Sequence, residues 1–188
     1  MATLFKTYKP VIRFIVTFLV VYFVMSLGYK WYLDYSKTTI YQPDYLTYQV
    51  AKQSQDLLNV AGFDSKIELH EGEPWVRFLL NGDYIVRIIE GCNAISVIIL
   101  FIAFIVAFAA SFKNTVLFII AGAVLIYIVN VARIAVLTLG LYYYPDLEHI
   151  LHGVVFPLII YGMVFLLWVI WVNYFVKIKK KDAEHSTL

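Results

Sequence analysis

TVLFIIAGAVLIYIVNVARIAVLTLGL, residues 115–141, is the stretch that decides the class of this protein. Its one charged side chain is Arg133. A helix needs about 20 mainly apolar residues to cross the hydrocarbon core of a bilayer. The stretch therefore predicts a membrane-spanning helix with an arginine in the half nearer its C-terminal end.

Three other stretches are also apolar and long enough to span a membrane, namely residues 11–29, 91–110 and 153–176. The chain of 188 residues is 62% hydrophobic and 15% charged, with a mean hydropathy of +0.77. A soluble domain has about 45–50% apolar and about 25% charged residues. We therefore predict an all-α polytopic membrane protein with four transmembrane helices. The first is predicted to be an uncleaved anchor, because no small-x-small cleavage site follows it.

Basic residues are concentrated beside particular ends of these helices. Lys6 and Lys9 precede the first helix, Lys113 lies between the second and third, and four lysines follow the fourth. The loop at residues 142–152 is acidic instead. Because Lys and Arg are enriched in cytoplasmic loops, we predict that both termini are cytoplasmic and that residues 30–90 and 142–152 lie outside.

The segment at residues 30–90 is more polar and separates the first two apolar stretches. Residues 45–61 have apolar side chains at helical spacing, and Asn81-Gly82 is a strong signal for a tight turn between strands. The strand-like runs are residues 66–70, 75–80 and 84–89. We predict a small extracytoplasmic α+β insert between helices 1 and 2, made of one helix and an antiparallel sheet.

The predicted organisation has four parts. They are an N-terminal tail with the first helix (1–29), the extracytoplasmic insert (30–90), a three-helix transmembrane catalytic core (91–176) and a basic cytoplasmic tail (177–188).

Cys92, Arg133 and His152 stand out as candidate functional residues. They come from three different apolar stretches, and the topology predicts that all three lie near the outer face. An arginine inside a spanning helix costs roughly 2.5–3.5 kcal/mol on insertion scales, and such residues usually face the bundle interior and serve function. A nearby cation favours the reactive thiolate form of a cysteine. Asn130 precedes Arg133 by one turn and is predicted to share its pocket.

Each candidate also has a purely structural interpretation. A lone cysteine is often a small packed hydrophobe, an arginine can extend its charge to the interface, and Glu90 is compatible with a simple interfacial carboxylate. Glu148, His149 and His152 suggest a metal site. Zinc sites use three or four ligands, however, and the helices offer no further histidine. The sequence therefore favours a site without a metal.

EGCNA at residues 90–94 opens an apolar helix, NVARI at residues 130–134 lies in the next, and HG at residues 152–153 opens the last. In these residues the chain resembles the exosortase/archaeosortase family of membrane transpeptidases, and its short length resembles that of the F-type members. Order, spacing and membrane depth match the Cys, Arg and His of the family. The family often has a small residue and then glycine after the cysteine, where this chain has Asn93 and Ala94.

The resemblance implies a catalytic role for three residues. Cys92 attacks a peptide carbonyl and forms a thioester, His152 acts as general acid and base, and Arg133 stabilises the oxyanion or holds the thiolate. An external nucleophile then resolves the thioester, which makes the reaction a transfer, and no metal or organic cofactor is needed. The supporting residues are Asn130, Glu90 and Asn93.

The resemblance also implies the partners and the location. The expected substrates are membrane-anchored proteins with a C-terminal motif, a helix and a basic tail, processed at the outer face of the bacterial inner (cytoplasmic) membrane. One alternative is a non-enzymatic membrane assembly or partner-binding module, in which residues 30–90 dock a partner and Arg133 is a structural or lipid-headgroup contact. Another is a metal-dependent intramembrane hydrolase that uses His149 and His152.

Overall fold

The computed structural model describes residues 2–36, 43–69 and 73–176 of the chain, without the side chains of residues 2–7 and 175–176. The predicted basic tail at 177–188 and the end of the first predicted strand, His70, lie outside the described residues. The chain is mostly helical, with one small sheet. This agrees with a polytopic membrane protein that carries a small α+β insert.

The regular elements follow one another in the order helix, insert, helices. They are α1 (Ala2–Ser36), α2 (Tyr45–Val60), β1 (Ser65–Leu69), β2 (Val76–Leu80), β3 (Asp83–Ile88), α3 (Ile95–Ala107), α4 (Phe112–Tyr143), α5 (Glu148–Ile150) and α6 (Phe156–Ile170). Short 3-10 turns lie at Glu90–Cys92 and Pro145–Leu147, and π-helical turns lie at Leu151–Val155 and Trp171–Val176.

Three helical stretches of the described chain are long and apolar enough to cross a membrane: Tyr8–Ser36, Phe112–Tyr143 and Pro145–Tyr174. They correspond to the first, third and fourth predicted spans. The second predicted span, residues 91–110, contains only the 13-residue helix Ile95–Ala107, which is shorter than the roughly 20 residues that a full crossing requires. The first, third and fourth predicted spans are therefore supported, and the second, at residues 91–110, is not confirmed.

Helix α2 has the amphipathic pattern that the sequence predicts. Its buried positions include Thr47, Val50 and Ser54, which share one face because they are three, four and seven residues apart. Asp44 caps the helix, its Oδ1 accepting hydrogen bonds of 3.1 Å from the N–H groups of Leu46 and Thr47, the second and third residues of the helix. The buried face of α2 is therefore set by spacing, and its start by the capping carboxylate.

The three strands form an antiparallel sheet in the order β1-β2-β3. The turn between β2 and β3 lies at Asn81-Gly82, as predicted, and both residues have positive φ angles, 53° and 90°. Two positive φ angles are the requirement of the type I′ turn that matches the twist of paired strands. Side chains of β2 alternate between buried and partly buried positions along the whole strand.

The insert packs directly on helix α4. One buried cluster joins α2, the sheet and α4, and its members are Val50, Ala51, Leu58, Val76, Phe78, Leu80, Ile88, Val131, Ile134 and Ala135. Helix α4 has 32 residues, or about 48 Å of length, which exceeds a hydrocarbon core of about 30 Å. Arg133 therefore lies in the part of α4 that protein covers, and its environment differs from that of a lipid-facing arginine.

Helix α3 packs between α1 and α4 through aromatic side chains. The ring of Phe14 on α1 contacts those of Phe104 and Phe108, at centroid distances of 5.8 Å and 4.4 Å. On the other side, the fully buried ring of Phe101 lies directly against Gly122 of α4, where a Cβ would overlap it. The short helix is thus held by ring packing on one side and by a glycine contact on the other.

Gly122→Ala is expected to destabilise the protein by about 1–3 kcal/mol, because the added methyl group forces the buried Phe101 ring out of place. The measurement is thermal unfolding in detergent, followed by tryptophan fluorescence. Gly162→Ala is the matched control, since nothing lies within 4 Å of a Cβ there, and it should leave stability equal or slightly higher. Equal melting temperatures for Gly122→Ala and the parent would contradict the expectation.

Candidate active site

The segment that carries Cys92 joins the sheet to helix α3. Strand β3 ends at Ile88, and a 3-10 turn at Glu90–Cys92 follows, in which the Cys92 N–H donates to the Ile89 carbonyl at 2.8 Å. Ala94 then takes a left-handed conformation with φ 63° and ψ 2°. This conformation favours glycine, which agrees with the glycine that is common at this place in the family. Cys92 therefore precedes the helix rather than opening it, which corrects the prediction.

Asn93, which follows Cys92 directly, stabilises this turn and is only 1% exposed. Its Nδ2 donates to the Tyr29 hydroxyl at 2.7 Å and to Thr47 Oγ1 at 3.2 Å. Its Oδ1 accepts from the Ile95 N–H at 3.0 Å, which begins helix α3. A single amide thus ties α1, α2 and α3 together beside Cys92.

Asn93→Ala is expected to cost about 1–3 kcal/mol of stability, because it removes the bonds that Asn93 makes to the buried Thr47 hydroxyl and the half-buried Tyr29 hydroxyl. Thermal unfolding in detergent is the measurement. Asn114→Ala is the control, since Asn114 is exposed at the start of α4, and it should behave like the parent. A loss of the same size in both variants would argue against the network.

Asn130 and Arg133 reach the same turn from helix α4. The Asn130 side chain is fully buried, and its Nδ2 donates to the Cys92 carbonyl at 2.7 Å. Its Oδ1 accepts from Arg133 Nη1 at 3.4 Å. The two residues share a face because they are one turn apart. Asn130 therefore links the cysteine turn and the guanidinium through one side chain.

Arg133 lies between the cysteine turn and helix α6. Its guanidinium carbon is 6.0 Å from the centroid of the Phe156 ring, and the charge is close enough to interact electrostatically with Cys92 and Tyr161. The Nε atom is buried and has no hydrogen-bond partner among the residues that the structure describes. A cation with a free buried donor beside a thiol can stabilise an anion that forms there.

His152 lies on the segment that leads into α6, and its side chain makes no hydrogen bond to this group among the described residues. It lies in the π-helical turn Leu151–Val155, one turn before Phe156, and its side chain is exposed. No hydrogen bond joins its imidazole to Cys92 or Arg133 in the part of the chain that the structure describes. The wide turn is stabilised by a bond from the Phe156 N–H to the Leu151 carbonyl, and the proline that follows has no N–H to restore α-helical pairing.

The remaining candidates lie at the edges of the site. Glu90 is half-buried and lines a cavity of about 380 Å³ together with Pro74, Ile89 and Gly91. His149 is exposed and lies one helical turn before Gly153, on the same side of the helical segment that contains His152. Among the described residues, no group of three or more His, Cys, Asp or Glu side chains is placed to hold a metal ion.

Some residues that shape the site were not predicted from the sequence. Ser54 Oγ donates to the Val131 carbonyl at 3.2 Å, and Thr47 holds Asn93, both from the buried face of α2. The sequence contains a pattern that could have identified them, since Thr47 and Ser54 are small polar residues seven positions apart on the otherwise apolar face of α2. Phe156 had no comparable signal, because it is one of many aromatic residues in the apolar stretches.

Comparison with known proteins identifies the family of the chain. The family model of the transmembrane exosortase (Exosortase_EpsH) matches residues 1–173. Comparison with curated proteins and with solved structures gives no match. The matched range contains every candidate site residue, and it confirms the resemblance seen in the sequence. The chain is thus a multi-pass membrane protein that belongs to the transmembrane exosortase family, which supports a role of the membrane transpeptidase type.

Proposed function

We propose that this protein is a cysteine-dependent membrane transpeptidase whose nucleophile is Cys92. The observation that carries the proposal is the position of Asn130, whose amide bonds to the Cys92 carbonyl at 2.7 Å and lies 3.4 Å from the Arg133 guanidinium. One buried side chain thereby holds the thiol-bearing turn and the cation in a defined relation. Such preorganisation is what acyl transfer requires of its nucleophile and its oxyanion donor.

The proposed first step is acylation. The Cys92 thiolate attacks the carbonyl carbon of a substrate peptide bond, so that an S–C bond forms and the carbonyl electrons move onto the oxygen. The C–N bond breaks afterwards, when the carbonyl re-forms and the amine leaves. The oxyanion that develops between these events is stabilised by Arg133, whose Nε is a buried donor with no partner among the described residues. The products are a thioester on Cys92 and a free amine on the released C-terminal fragment.

The proposed acid and base is His152. It accepts the thiol proton and delivers it to the leaving amine. Support comes from its place one helical turn before Phe156, whose ring faces Arg133 at 6.0 Å. Because the imidazole is exposed, this role requires it to turn toward Cys92 when substrate is bound, as catalytic hydrogen bonds often tighten only in the complex.

The proposed substrates are membrane-anchored proteins with a C-terminal motif, one helix and a basic tail. In this arrangement both termini of the enzyme are cytoplasmic, and the insert faces the outer side of the bacterial inner membrane. The site lies where the insert meets the spanning helices, so Cys92 would be close to the point at which a substrate chain leaves the bilayer. An amine or water from outside then resolves the thioester.

The test is to trap the acyl-enzyme. Membranes containing the full-length enzyme and its natural substrate are quenched in acid, and the intact enzyme is analysed by mass spectrometry. We expect an added mass on Cys92 that neutral hydroxylamine removes, as it does for thioesters. Processing of the substrate without any hydroxylamine-sensitive adduct, under conditions that trap a known thioester enzyme, would overturn the proposal.

A further inference from the structure

Strand β3 has a free edge, because it is the last strand in the order β1-β2-β3. Residues of an antiparallel pair alternate between hydrogen-bonded and non-hydrogen-bonded positions. A two-residue turn makes its flanking pair, here Leu80 and Asp83, a hydrogen-bonded one. Tyr84 and Arg87 then occupy non-hydrogen-bonded positions opposite β2. Their N–H and C=O groups therefore face away from the sheet.

The other edge of the sheet shows how such groups are satisfied. Ser65 on β1 is paired with Leu80, and its N–H points away from β2 and donates to Asn59 Oδ1 at 2.8 Å. No described residue makes an equivalent bond to the backbone of Tyr84 or Arg87. Among the described residues, α2 thus covers the β1 edge only at Ser65, whereas the β3 edge presents open backbone groups at both Tyr84 and Arg87 that can pair with another chain.

A β-bulge orients this open edge. The register shifts at Ile85, which has no opposite residue in β2. Successive strand side chains normally point to opposite faces, but the bulge allows both Ile85 and Val86 to pack against the cluster of Leu137, Leu141 and Phe156. The strand is thereby anchored to α4 and α6 by its side chains while its backbone edge stays open.

A cavity of about 250 Å³ lies beside the start of this strand. On one side it is lined by β3, and on the other by the end of α4 and the segment that leads to His152. The lining residues are Asp83, Tyr84, Ile85, Leu141, Tyr142, Pro145 and Glu148. The start of β3 therefore borders a recess whose other wall is formed by the end of α4 and the segment that follows it.

This edge leads to the nucleophile. The first residues of β3 lie beside Leu141, whereas Cys92, which follows the strand, is bonded to Asn130. Leu141 and Asn130 are eleven residues apart on α4, which corresponds to about 16 Å along the helix axis. Strand β3 thus descends along α4 from the cavity to the cysteine turn, and a chain paired with its edge would be led to Cys92.

We propose that the substrate binds as a fourth strand on the free edge of β3, with its backbone paired to Tyr84 and Arg87. The inference rests on the proposed function, since it places the scissile bond at Cys92. A substrate whose C-terminal helix lies in the membrane must run toward the bilayer, as β3 does, so the added strand is parallel to β3. Backbone pairing supplies affinity, and the enclosed side chains supply selectivity.

The charged residues that line the cavity indicate which substrate side chains can bind there. Asp83 and Glu148 are both exposed carboxylates on opposite sides of the cavity. They disfavour an acidic side chain on the substrate and offer acceptors to a hydroxyl, amide or basic one. The occupant is therefore an extended segment just before the C-terminal helix of a membrane-anchored protein, and the part of it beside Asp83 and Glu148 is expected to carry no acidic side chain.

Photo-crosslinking in the full-length enzyme tests this. Tyr84→p-benzoylphenylalanine is compared with Leu69→p-benzoylphenylalanine in a Cys92→Ala background, in membranes of the native host. The two positions are matched, since Tyr84 is 56% and Leu69 51% exposed, on opposite edges of the sheet. We expect position 84 to capture peptides that lie just before a C-terminal hydrophobic helix, at least several times more than position 69. Equal capture, or no peptides of this class at position 84, would overturn the inference.

Loss of the edge N–H provides a second readout. Tyr84→Pro removes a donor that the sheet does not use, and Leu69→Pro does the same on the β1 edge. We expect processing by Tyr84→Pro to fall about five- to tenfold, the size of one hydrogen bond, and Leu69→Pro to stay within about twofold of the parent. If the thioester forms on Cys92 but Tyr84→Pro is fully active, the edge does not bind substrate although the proposed function stands. Capture at position 84 without any thioester would support the edge and contradict the chemistry.

Discussion

Cys92→Ala is expected to reduce processing of the natural substrate by at least about 10³-fold, because removal of a catalytic nucleophile abolishes the acyl intermediate and leaves only binding and oxyanion stabilisation. Cys92→Ser should be nearly as inactive, since a hydroxyl is far less ionised than a thiol at neutral pH and is therefore a much weaker nucleophile. The measurement is the change in substrate mass in membranes that contain each variant at equal amounts.

The turn itself should survive these changes. Asn130 bonds to the backbone carbonyl of Cys92 rather than to its thiol, so the serine variant keeps every bond of the turn. Its melting temperature in detergent should match that of the parent, which makes Cys92→Ser the decisive variant. If both variants process substrate at the parental rate, Cys92 is a packed structural residue.

Arg133→Ala is expected to lower kcat by about 10²–10³-fold, the usual effect of removing an oxyanion donor. Arg133→Lys should recover only part of this loss. The guanidinium is planar and spans from Asn130, at 3.4 Å, to the Phe156 ring, at 6.0 Å, whereas an ammonium is a point charge without a face to stack. Single-turnover formation of the Cys92 thioester is the measurement, because it isolates the acylation step.

Arg13→Ala serves as the control for loss of a positive charge, since Arg13 is an exposed residue of helix α1. It should form the thioester at the parental rate. A structural arginine would behave differently: its loss would lower the melting temperature and leave the acylation rate of the folded fraction unchanged. That result would assign Arg133 to the packing of α4 against α6.

The elements of this protein could be predicted where short-range spacing decides them. The face of α2 follows from Thr47, Val50 and Ser54 at helical intervals, and the hairpin follows from Asn81-Gly82, which favours two positive φ angles. The second span was less predictable, because hydropathy at residues 91–110 reports apolar composition and not helix length. There the left-handed turn at Ala94 delays the start of the helix until Ile95.

The site was predictable only in part. Hydropathy and the order of the motifs placed Cys92, Arg133 and His152 at one end of the bundle. Depth along a helix says nothing about lateral distance, so the sequence could not tell that Asn130 would bond to the cysteine turn or that the imidazole would stay exposed.

The sequence by itself determined the membrane class, the approximate positions of three spans, the helix and hairpin of the insert, and the identity of the candidate residues. These features depend on residues within about one or two turns of each other, where composition and periodicity act directly. Only the tertiary structure decided that the insert covers α4 around Arg133, that Asn93 and Asn130 hold the cysteine turn from two sides, and that β3 leads its open edge to Cys92. The reason is that these contacts join residues distant in sequence, and packing of complementary surfaces, rather than local preference, brings them together.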